Sequence, residues 1–182
     1  MSARPLAVAG VTSARVRLPR SRFAVLVLYA AAMGWLEAVV VLYIRGVLGF
    51  EHGALPPPPE RIGDLLTREP WVLPTEQTRE AATLVMLGTV AWLAGRSGRS
   101  RLGAFLIAFG VWDIAYYVAL WALVRWPSSL TTLDLLFLIP PSPLWNQPVW
   151  VPIAISTGMI ALGAWMMRER SHSSTEVSGP GC

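Results

Sequence analysis

Apolar positions along the chain gather into four long blocks, at about 23–44, 77–95, 102–124 and 147–167. Each approaches or exceeds the roughly 20 residues a helix needs to cross the hydrocarbon of a bilayer. The first block is too long for the core of a cleaved signal peptide, which is about 7 to 15 residues. It is therefore expected to remain as an uncleaved first helix. The pattern predicts an all-α integral membrane protein, a bundle of four transmembrane helices over 23–167, preceded by a polar segment at 1–22. A Ser- and Gly-rich tail at 168–182 has the composition of a disordered segment.

Local signals refine the ends. Pro74 and Thr75, with Glu76 in the first turn, mark the start of span two. Asn146 is read as the N-cap of span four, with Pro148 in its first turn, where a missing N–H does no harm. Two long connections lie between spans. The first, 45–76, holds the stiff run Pro56–Pro59 and a short amphipathic piece at 62–67. The second, 125–145, contains a very apolar run, Leu133–Ile139, stopped by Pro140 and Pro141 and too short to span. Thr131 with Asp134 three residues later forms a capping-box pattern ahead of it. A short extra helix is expected here, at the outer membrane surface between spans three and four.

Composition strengthens the membrane assignment. The chain is 54% hydrophobic and only 14% charged, well below the charged share of a soluble domain. All fifteen basic residues are Arg, and ten of them lie before span one, in the 95–101 loop or after span four. By the positive-inside rule that side is cytoplasmic, which places both termini in the cytoplasm of a multi-pass protein of the cell membrane. The net charge of +4 does not point to nucleic acid, because the Arg residues flank apolar blocks and form no basic stripe with interleaved aromatics.

The candidate chemistry lies in carboxylates carried by these blocks. Glu37, Glu80 and Asp113 fall where ionised groups are costly, and such groups pair, keep a proton or bind something. Counting about 1.5 Å per residue, Glu37 and Glu80 come to similar depths, with Asp113 about one turn deeper. Asp134 would cap the outer short helix above them, and Arg79 would stand at the mouth as a counter-ion. Tyr116 and Tyr117 follow Asp113 by three and four residues and so share its face. The candidate ligand-binding set is Glu37, Glu80, Asp113, Tyr116, Tyr117, Arg79 and Asp134. Any metal would be a hard cation held by Glu37, Glu80 and Asp113.

Plainer readings stand beside these. Glu37 and Asp113 serve equally as interhelical hydrogen-bonding groups, Glu80 as a complement to a helix dipole, and Arg79 as an interfacial anchor. Haem and zinc lack ligands, since neither His52 nor His172 lies in a block and Cys182 is the single thiol. No phosphate loop, nucleophile elbow or His-Glu-x-x-His motif is present. Small residues at helical spacing, Ala30, Gly34 and Ala38, Ala91 and Gly95, and Ala154 and Gly158, predict close helix packing, and the last pair also suits a homo-oligomer. The partners expected are the lipid bilayer and other copies of the chain. Three functions fit: an outer-half carboxylate site for a cation or small polar ligand, in transport or sensing; a membrane enzyme using paired carboxylates on a lipophilic substrate; or an accessory subunit whose acids only join helices.

Overall fold

The computed structural model describes residues 20–47, 67–135 and 146–168. They form four long helices and a two-stranded ribbon: α1 Arg20–Val47, α2 Val72–Ala94, α3 Gly98–Val124, β1 Leu133–Leu135, β2 Asn146–Pro148 and α4 Trp150–Arg168. Three helical segments, Arg22–Val47, Gly98–Val124 and Trp150–Met167, are long and apolar enough to cross a membrane. The helix count agrees with the four blocks of the sequence. α2 does not join the three, and it carries Glu76, Arg79 and Glu80 near its start.

α3 is the central helix, packed by each of the other three. Its small residues make this possible. A Cβ on Gly110 would come within 2.5 Å of the Ser156 carbonyl oxygen, and one on Gly163 of α4 within 2.5 Å of the Gly103 carbonyl oxygen. On the α1 side, a Cβ on Gly34 would collide with the Trp112 carbonyl oxygen. These backbones touch because nothing larger than hydrogen lies between them. Ala30 and Ala38 are fully buried, as the spacing in span one predicts, and Ala91 is nearly so. Ala154 is exposed and a Cβ on Gly158 would meet nothing, so that pair does not pack within the chain.

The core has two parts. One, toward the α2–α3 connection, gathers Leu26, Ala30, Met33, Leu87, Ala91, Ala104, Ile107, Ala108 and Trp112. The other, at the ribbon end, gathers Ala38, Tyr117, Ala119, Leu120, Val124, Trp126 and Val149. Many large apolar side chains face outward, among them Leu28, Trp35, Tyr43, Val85, Leu93 and Val118, as they do in helices solvated by lipid.

Helix ends follow their caps. Ser97 and Ser100 form a reciprocal capping box at the start of α3, and Arg125 ends it in the left-handed conformation at φ 57°. Arg101 Nε donates to the Gly95 carbonyl and Arg99 Nε to the Met166 carbonyl, so two arginines satisfy the ends of α2 and α4. Their guanidiniums also lie over Trp92 and Trp165. α2 starts at Val72, five residues before the expected Gln77, with no side-chain cap at Trp71. Pro74 falls in its first turn, where no intrahelical donor is lost.

The extra helix between spans three and four is corrected over Leu133–Leu135, the part of the run that is described. These residues form β1, paired antiparallel with β2 in the register Leu133 to Pro148, Asp134 to Gln147 and Leu135 to Asn146. The hydroxyls of Ser128, Ser129, Thr131 and Thr132 bond among themselves in a turn before β1, so Thr131 caps no helix. Asn146 and Pro148 likewise lie in β2, and α4 begins at Trp150. Cross-strand pairing supplies the backbone partners that a one-turn helix would leave open at both ends. The prolines Pro56–Pro59, the stretch at 62–66, the remainder of the 133–139 run, and both terminal segments lie outside the described residues.

Candidate functional site

The apolar helices leave few places for charge within their length, and Arg79, Asp113, Asp134 and Arg45 come within electrostatic reach of one side chain, Tyr116. Arg79, two turns into α2, is the centre of one group. Its Nη1 donates to Oε1 of Glu37 on α1. Its Nε and Nη2 both approach Oε2 of Glu76 at 2.8 Å. Glu76 precedes Arg79 by three residues, the spacing that puts two side chains on one helix face. Glu37 and Glu76 are each only 8% exposed. Thr83, one turn beyond Arg79 and itself buried, points its hydroxyl at Glu37 Oε2 from 3.5 Å. Glu80 lies close enough for its charge to act on both Glu76 and Arg79.

A second group lies on α3. Ser156 of α4 donates to Oδ2 of Asp113 at 2.7 Å. Tyr117 donates to Oδ2 of Asp134 at 2.8 Å, tying α3 to β1. Tyr116 joins the groups: it is within electrostatic reach of Asp134, Arg79, Asp113 and Arg45. Arg45, in the last turn of α1, stands 5.7 Å from the centre of the Trp126 ring. Two buried indole N–H groups, Trp112 Nε1 and Trp126 Nε1, have no acceptor among the described residues. Trp112 packs with Met33 and Leu87, one turn below Glu37 and Thr83, and Trp126 packs with Ala38 and Tyr117 above.

Several residues singled out in the sequence therefore meet, in an arrangement that differs from the expected one. Arg79 is the hub of the ion pairs and no simple interfacial anchor. Glu76, read in the sequence only as a residue of the first turn of span two, is bound by Arg79. Asp134 lies in a strand and pairs with Tyr117, where a helix cap was expected. Tyr117 shares the face of Asp113 but gives its hydrogen bond to Asp134. No three acidic, His or Cys side chains among the described residues are grouped to hold a metal ion, so Glu37, Glu80 and Asp113 do not form one. Two of the three are engaged separately, Glu37 by the guanidinium of Arg79 and Asp113 by the hydroxyl of Ser156.

An apolar groove of about 410 Å³ opens elsewhere, between α1 and α4 over α3. Its lining includes Trp35, Ala115 and Ile160. The α3 residues that line it, Val111, Ile114, Ala115 and Val118, form one stripe from which Asp113, Tyr116 and Tyr117 are absent. No family model, curated protein or solved structure matches this chain.

Proposed function

We propose that the chain is a four-span protein of the cell membrane, with α2 as the fourth span and both termini in the cytoplasm. At its ribbon end, facing outward, it binds a cation or small polar ligand, in transport or sensing. One observation carries this reading. Arg79 lies between Glu37 and Glu76, both nearly fully buried, so the group holds two acids to one base even before Glu80 is counted. Charge left over in a low-dielectric interior demands compensation, from a proton or from a cation. Asp113 and Tyr116 add polar groups within electrostatic reach of Arg79. A positively charged ligand would offset the excess acid.

The enzyme reading has no such observation behind it: no carboxylate lines the apolar groove found among the described residues. The accessory-subunit reading rests on the same ion pairs but leaves the excess acid without a purpose. Association of copies through the α4 face that carries Ala154 and Gly158 belongs to the proposal, and cross-linking in membranes tests it.

The deciding experiment is a thermal-shift titration of the purified protein in lipid nanodiscs with sodium, potassium, calcium and small amines. At least one cation should raise the melting temperature of the wild type and leave a Glu37→Gln, Glu76→Gln variant unmoved. No response to any cation, or an equal response in both proteins, removes the reading.

A further inference from the structure

The α3–α4 joint is built differently toward its two ends. Away from the ribbon the helices touch backbone to backbone, at Gly103 with Gly163 and at Gly110 with Ser156. Contacts that close allow pivoting but little spreading, since a gap would forfeit packing along both helices. Toward the ribbon the ties run through side chains: Ser156 donates to Asp113, and beyond it Tyr117 donates to Asp134.

Asp134 does not belong to α4, yet hydrogen bonds tie its strand and the turn before it to that helix. Val149 N donates to the Thr132 carbonyl at 3.0 Å and Trp150 N to the Leu130 carbonyl at 2.9 Å, and β2 runs directly into the helix. The ribbon, its preceding turn and the first turn of α4 are thus one hydrogen-bonded body. Its link to α3 passes through Arg125, which is held in the left-handed conformation. Val149, fully buried, sits from this body among Trp126, Tyr117 and Ala38.

We propose that this body is a hinged gate. The ribbon and the adjoining end of α4 swing from α3 about the glycine contacts, with the Tyr117–Asp134 bond as latch and Val149 as plug. Opening bares Tyr116, Tyr117 and the approach to Asp113, the polar groups nearest the joint. The Tyr117 hydroxyl can be removed while the Ser156–Asp113 bond stays in place, so its loss shifts the balance toward the open form without unfolding the glycine-packed end. The gate depends on the binding reading only for what passes through it, and its opening is measurable with no ligand present.

The test is thiol labelling of Val149→Cys, made in a Cys182→Ser background and held in nanodiscs, with a bulky polar maleimide. Labelling should be slow in this parent and about tenfold faster when Tyr117→Phe removes the hydroxyl alone. Ala108→Cys, fully buried in the other part of the core, is the control and should stay slow in both. An unchanged rate at position 149 overturns the latch. An equal rise at position 108 also overturns the proposal, because the loosening would then be global. A protein that passes this test yet ignores every cation would keep its gate and lose the binding reading.

Discussion

The guanidinium of Arg79 on α2 is shared between Glu37 on α1 and Glu76 on its own helix, and those acids are among the least exposed polar residues described. The arrangement makes the three side chains unequal. Removing Arg79 strands two carboxylates, whereas removing Glu37 leaves Arg79 its bond to Glu76.

Arg79→Gln should therefore be the most damaging single change in the group, costing about 3–5 kcal/mol. Glu37→Gln should cost clearly less and leave the fold intact. Equilibrium unfolding in detergent, run as a double-mutant cycle, reads both effects. An Arg79→Gln protein as stable as the wild type would mean the pairs contribute nothing.

Glu76→Gln should alter cation response more than Glu80→Gln does. The reason is geometric: Glu76 is the acid in the fork of Arg79, while Glu80 acts on the group from outside it. Thermal-shift titration of the two single variants side by side checks the ranking, and a larger effect from Glu80→Gln would reverse it.

At the second carboxylate, Asp113→Asn keeps an oxygen for the Ser156 hydroxyl and removes the charge. Stability should change by well under 2 kcal/mol, the usual range for hydrogen bonds between membrane helices. Ligand response should fall away all the same. Ser156→Ala is the converse and should cost about 1 kcal/mol with the response retained.

Glycine positions give a prediction free of any functional reading. Gly34→Ala and Gly110→Ala push a methyl group into a neighbouring backbone and should cost about 1–3 kcal/mol. Gly88→Ala, and Gly158→Ala in the monomer, meet open space and should be neutral or stabilising by about 0.5–1 kcal/mol. Melting temperatures of the four variants are the measurement.

Topology is checked by reporter fusions. Those placed after Arg101 and Arg170 should report the cytoplasm, and those near Pro58 and Ser129 the opposite side. A cytoplasmic signal near Ser129 would turn the ribbon, and the acids beneath it, to the other face of the membrane.

The helices were legible because length and continuous apolarity are strong signals, and Glu37, Arg79 and Asp113 stood out as charges within apolar runs. Glu76 did not, since a carboxylate beside Pro74 and Thr75 reads equally well as a helix start. Its spacing of three from Arg79 was the signal that could have found it. The partner of Tyr117 was beyond reach for a different reason. Asp134 arrives through a pairing of three-residue strands, too short for any periodicity to separate strand from helix.

The Glu37–Arg79 pair has a consequence for biosynthesis. It joins the first two helices of the chain and requires nothing from the third or fourth. α1 and α2 can thus match their opposite charges as a hairpin while α3 is still being made, before either charge is buried alone.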